Sequence, residues 1–131
     1  MYITLESDYA IRIVSCLAEE KKRMDARSIS EKTNVTLRFA LKILRKLVAG
    51  NIIKSYKGTH GGYELARPLN EISLKDVIEI VEGEYAFSRC LEGSFCCTRE
   101  KSTPCRFQMV FGEISQMVKE KLSTATFDKL V

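Results

Sequence analysis

The chain has one histidine, two prolines and no C-x-x-C pair, and its apolar residues never approach the roughly 20 in succession that a membrane-spanning helix needs. Each shortage removes a class of function. With a single histidine and no evident base to activate a cysteine, a thiol oxidoreductase lacks its machinery. Without a C-x2-C-type pair, a structural zinc site lacks its usual ligand spacing. The opening stretch MYITLESDYAIRIVSCLAEE has neither the basic lead-in nor the unbroken apolar core of a secretory signal, so a cytoplasmic protein with no membrane partner is expected. The low proline and glycine content, with 45% hydrophobic and 29% charged residues, is that of a globular chain rather than a disordered one. At 131 residues it suits one domain with or without an appended element.

What is present is unevenly placed. Four of the five cysteines, Cys90, Cys96, Cys97 and Cys105, fall within sixteen residues, in a stretch without a helix or strand period. In a reducing compartment such a cluster points to metal or redox chemistry rather than to structural disulfides. Cys16, alone within an apolar helical pattern, reads as a small core residue.

Charge is just as localised. Residues 36–67 carry seven basic groups (Arg38, Lys42, Arg45, Lys46, Lys54, Lys57, Arg67) against Glu64, a net of +6, whereas the formal charge of the whole chain is +4. A basic block inside a folded domain is the electrostatic footprint of a phosphate-backbone binder.

The periodicity predicts a mainly α fold. A first helix covers about 5–20, capped by Thr4 or Ser7. A short second helix follows Asp25 and turns at Asn34. A third is capped by Thr36 and buries Ala40, Ile43, Leu44, Leu47 and Val48, with Arg38, Lys42, Arg45 and Lys46 on its opposite side. Gly50 reads as its left-handed terminator. Strands at Ile52–Lys57 and Tyr63–Leu65 flank the glycine-rich turn Gly58–Gly62, a small β wing directly after a basic helix. Ser73 and Asp76 form a capping box for a helix that stops at Gly83. After the cysteine stretch, Phe107, Val110, Phe111, Ile114, Val118 and Leu122 recur at three-and-four spacing, a stripe too long for a chain of this size to bury alone. This predicts a long dimerisation helix over about 105–123. The expected architecture is a winged helix-turn-helix plus a long C-terminal dimerisation helix. Its parts are a DNA-binding domain (1–83), a cysteine-rich loop (84–104), and a dimerisation helix with a tail (105–131).

The segments ITLESDYAIRIVSCLA, VTLRFALKILRKLVAGNII, KGTHGGYELARP and ISLKDVIEIVEG, followed by the cysteines, resemble in that order the Rrf-two family of bacterial winged-helix regulators, which includes IscR, NsrR and CymR. The likeness spans nearly the whole chain, and its most specific piece is the wing Lys57-Gly58-Thr59-His60-Gly61-Gly62-Tyr63. It implies a homodimer on a palindromic operator in double-stranded DNA. It also implies an iron–sulfur cluster, 2Fe-2S or 4Fe-4S, held by three cysteines between the helix after the wing and the long helix. The first family spacing matches Cys90 and Cys96; the second is broken by Cys97 and by a late Cys105. Gln108 stands where IscR-like members carry a histidine, and Asp8 stands where NsrR-like members supply an aspartate from the other subunit, so the NsrR-like arrangement is favoured. The implied ligand set is Cys90, Cys96 and Cys105, completed by Asp8 or Cys97.

For DNA the candidate contacts are Thr36, Arg38, Lys42 and Arg45 on the recognition helix, and Tyr56, Lys57, Thr59, His60 and Gly61 in the wing, with Thr59 and His60 directed to the minor groove. The function read from these residues is not enzymatic. It is that of a sequence-specific transcriptional repressor sensing redox, nitric oxide or iron status through the cluster; the alternative is a cluster-free thiol or cysteine-metabolism regulator of the same fold.

Overall fold

Side-chain caps set where the helices begin. In the computed structural model, which describes residues 2–99 and 104–131, Thr4 accepts the Ser7 amide at 3.1 Å and opens α1 (Leu5–Glu20). Asp25 accepts from the Ser28 amide at 2.7 Å and opens α2 (Ala26–Thr33), which ends on Asn34 at φ 58°. Thr36 then accepts the Phe39 amide at 3.4 Å and starts α3 (Leu37–Ala49). Each cap satisfies a backbone donor that has no partner inside its helix.

These three helices enclose the core. Ala10, Ile13, Val14 and Leu17 of α1, Ile29 of α2, and Ala40, Ile43, Leu44 and Leu47 of α3 are all essentially inaccessible to solvent. Cys16 is buried as expected, its Sγ 3.9 Å from the Met24 Sδ, and burial pushes its thiol pKa up.

Strands β1 (Ile53–Tyr56) and β2 (Gly62–Leu65) pair antiparallel, with Ile53 opposite Leu65 and Tyr56 opposite Gly62. Met24 adds a bridge on the outer edge, exchanging backbone hydrogen bonds of 2.9 and 2.7 Å with Tyr63. Gly62 (φ 137°) is required there, because a Cβ would lie 2.6 Å from the Met24 carbonyl oxygen. Helix α4 (Leu74–Glu82) carries the expected Ser73–Asp76 capping box and packs on α1 and α3.

Gly50 departs from expectation. Its φ is −85°, and the left-handed residue is Asn51 at φ 62°. Gly50 is needed for a different reason: a Cβ there would meet Ile80 Cδ1 of α4 at 2.4 Å, so the residue sets how closely the two helices approach.

Among the described residues beyond Gly83 the chain has bends and a 3-10 turn, Arg89–Leu91, and Cys105 precedes the long helix α5 (Arg106–Thr124). Residues 100–103 of the expected cysteine loop lie outside the described residues. Along α5 only Ser115 is buried, while Phe107, Val110 and Met117 are exposed and Phe111, Ile114, Val118 and Leu122 are half-buried. A short final helix, α6 (Phe127–Leu130), folds back. Phe127 is 1% exposed, its amide donates to the Ile72 carbonyl at 2.9 Å, and the Leu74 amide donates to the Ala125 carbonyl at 2.9 Å. No helix among the described residues is long and apolar enough to cross a membrane.

Candidate nucleic-acid interface and cysteine loop

The cap at Thr36 fixes the first turn of α3, and from that turn Arg38, Phe39, Leu41, Lys42 and Arg45 line an open groove of about 530 Å³. Arg38 and Arg45 are exposed. Lys42 is exposed as well, yet its Nζ also lies 3.7 Å from Glu6 on α1.

Lys46 does not join this face. Its ammonium donates to Glu6 at 2.8 Å and to the Val81 carbonyl at 3.4 Å, which ties α3 to α1 and α4. The expected outward row of four cations is therefore three. The Lys46 hydrogen bond holds the Glu6 carboxyl below its ordinary range; partial burial opposes this and Lys42 assists it.

In the wing, Lys57, Thr59 and His60 are exposed at the tip. Gly61 is dictated by turn geometry, since a Cβ would sit 2.4 Å from the Tyr56 carbonyl oxygen. Tyr56 is half-buried at the base. Its hydroxyl is hydrogen-bonded to Glu64, which raises the phenol pKa and lowers that of the carboxyl, and the Arg23 guanidinium covers its ring at 3.4 Å from the centroid. Arg23 also pairs with Glu64 at 3.7 Å and donates to the His60 carbonyl at 3.2 Å. One side chain from the segment between α1 and α2 thus grips both strands and the tip of the wing.

The candidate metal ligands are spread out. Cys90 is half-buried in the 3-10 turn, with its Sγ 3.2 Å from Ser88 Oγ and its carbonyl accepting from Gln108 Nε2 at 2.7 Å. Cys105 is half-buried at the start of α5, and Cys96 and Cys97 are exposed. Asp8 lies on α1 and pairs with Arg12 at 2.8 Å, with both side chains nearly half exposed. Arg12 in turn sits over the Tyr9 ring at 5.3 Å, and Tyr9 meets Phe39 of α3 edge-on at 6.0 Å. Among the described residues no three Cys, His, Asp or Glu side chains are grouped closely enough to hold a metal.

Arg23, Glu6 and Phe39 escaped the sequence reading. Phe39 carried a usable signal, an aromatic residue in the first turn of a basic helix between Arg38 and Lys42. Arg23 and Glu6 act over long sequence separations and carried none.

The family model for Rrf2 (Rrf-two), described as an iron-dependent transcriptional regulator, matches residues 3–131. The chain belongs to the Rrf2 family. Members of this family are DNA-binding transcriptional regulators, not enzymes. Protein aau3 of Rhizobium meliloti is 30% identical over 133 positions, an alignment covering all of this chain and 85% of that protein. Two solved structures share the fold. CymR, the global cysteine regulator of B. subtilis, superposes with a TM-score of 0.79 at 21% identity over 99% of this chain and 95% of its own. IscR of T. potens superposes with a TM-score of 0.77 at 21% identity over 99% and 85%. The mainly helical architecture with a two-stranded wing is that of Rrf2 winged-helix regulators.

Proposed function

We propose that this Rrf2 protein is a cytoplasmic homodimeric repressor that binds a palindromic operator and responds to redox, nitric oxide or iron status through an iron–sulfur cluster bound by its cysteine loop. The observation that carries the sensing half of this reading is the Gln108–Cys90 hydrogen bond, which couples the loop to the long helix. Thiolates are the ordinary ligands of iron–sulfur clusters, and the donor set Cys90, Cys96 and Cys105 has that chemistry, with Asp8 of the partner subunit or Cys97 as the fourth ligand. When bound, such a cluster supplies a redox-labile, nitrosylation-sensitive centre of positive charge that keeps thiols deprotonated.

On the DNA side, Arg38, Lys42 and Arg45 with Thr36 face the major groove, while Lys57, Thr59 and His60 reach the backbone and the minor groove, supported by Tyr56 and Gly61. The dimer reading is supported by the apolar side chains that α5 leaves exposed, Phe107, Met109, Val110 and Met117, together with Tyr2, Ile3 and Leu5 at the start of the chain. In a symmetric dimer a change in the loop, passed to α5, alters the spacing of the two α3 helices, which must match half-sites about 34 Å or a multiple apart.

The test is anaerobic purification followed by absorption spectroscopy, iron and sulfide counts, and operator binding with and without nitric oxide. A coloured protein whose colour is lost in Cys90→Ala and Cys105→Ala, and whose operator affinity changes with nitric oxide, is expected. A wild type that stays colourless after reconstitution with iron and sulfide overturns the cluster. The exposure of the adjacent Cys96 and Cys97 favours a second reading, a cluster-free thiol or cysteine-metabolism regulator, for which oxidant treatment alone changes affinity.

A further inference from the structure

We propose that Phe39 is a specificity-determining residue that reads the 5-methyl groups of thymine in the major groove; this deepens the proposed function and rests on α3 being the helix that enters that groove. Phe39 is the third residue of α3, within the turn where a recognition helix meets base edges. The residue is 45% exposed. The groove it lines has a particular composition, with Arg38, Lys42 and Arg45 around the apolar surface of Phe39 and Leu41.

The cations account for attraction to phosphates, which carries no sequence information. The apolar surface between them has nothing to gain from phosphate oxygens. Among the groups that base edges present in the major groove, the apolar one is the thymine C5-methyl, and contact with phenylalanine is a recognised way of reading it. The surrounding positive charge commits this surface to DNA rather than to an apolar protein partner.

The ring is also held in place from behind. Tyr9 meets it edge-on with centroids 6.0 Å apart and planes at 71°, and Tyr9 is itself covered by the Arg12 guanidinium. An aromatic side chain fixed this way presents a defined surface to a base edge, whereas the long basic side chains around it must be ordered on binding.

The experiment uses the full-length protein, purified anaerobically. Tight-binding duplexes are selected from a random double-stranded library, and the best duplex is remade with deoxyuridine at each thymine in turn, which removes only the methyl group. Wild type is expected to lose about fourfold in affinity at one or two thymines of each half-site, the worth of one buried methyl group. Phe39→Ala is expected to bind the thymine and deoxyuridine duplexes equally. Phe39→Leu keeps an apolar contact with Tyr9 and serves if the alanine variant fails to fold; it is expected to reduce the discrimination. A wild type indifferent to deoxyuridine at every position overturns the proposal, as does Phe39→Ala or Phe39→Leu with undiminished discrimination. Arg38→Ala and Arg45→Ala separate this failure from that of the underlying reading. If they weaken binding to all duplexes while methyl discrimination is absent, α3 stays in the groove and only the role of Phe39 falls; if they leave affinity unchanged, both fall.

Discussion

The side-chain amide of Gln108 donates to the main-chain carbonyl of Cys90 at 2.7 Å, so the first turns of α5 and the 3-10 turn that carries a candidate ligand are joined across the cysteine loop. Gln108→Ala removes this link without touching a thiol. A net hydrogen-bond contribution of about 0.5–1.5 kcal/mol corresponds to an opening of the turn about two- to tenfold more often. Cys90 should react faster with a thiol reagent by that factor in the cluster-free protein, with little change in melting temperature. Gln116→Ala, which loses only an exposed bond to Glu120, is the control and should leave the rate unchanged.

Glu6 makes the protein sensitive to acid in a defined direction. Its carboxyl pKa is lowered in the folded state, chiefly by the hydrogen bond from Lys46, so its contribution is present above the unfolded value of about 4.3 and is lost as pH falls through the folded one. Denaturation midpoints measured from pH 7 to pH 3 should therefore show Glu6→Gln less stable than wild type at neutral pH, with the two converging in acid. Parallel curves would remove Glu6 from the acid response.

Phe127 holds the C-terminal segment against the core. The side chain is 1% exposed and its backbone amide bonds the Ile72 carbonyl, next to the capping box of α4. Phe127→Ala is expected to cost about 3–5 kcal/mol in chemical denaturation followed by circular dichroism, in the range for truncating a buried aromatic. A loss below about 1 kcal/mol would mean that the segment is dispensable for folding.

Much of this fold was legible because its signals are local. Thr4, Asp25, Thr36 and the Ser73–Asp76 box act within three residues of themselves, and the apolar period of α3 is set within one helix. The readings that needed revision depend on partners distant in sequence. Gly50 is required by Ile80, thirty residues on, and Lys46 is turned inward by Glu6, forty residues back. The C-terminal bridge of Thr126 to Ser73 belongs to the same class, since two polar residues fifty-three apart leave no periodic trace. The cysteine loop was legible only as chemistry. Its residue types point to a ligand set, but nothing in the period of 84–104 specifies a backbone path, and the contacts that hold it, such as the Phe87 amide on Ser115 and Gln108 on the Cys90 carbonyl, come from partners distant in sequence.

The grip of Arg23 on Tyr56, Glu64 and the His60 carbonyl has a kinetic consequence. If the wing docks on DNA as proposed, a hairpin already ordered before DNA arrives has little entropy left to lose, so its contribution to the complex is retained rather than spent on folding the loop. Loosening the grip would then shorten the residence time of the complex more than it slows the encounter, because encounter is governed by the long-range charge of residues 36–67 and departure by how firmly the docked hairpin holds its shape.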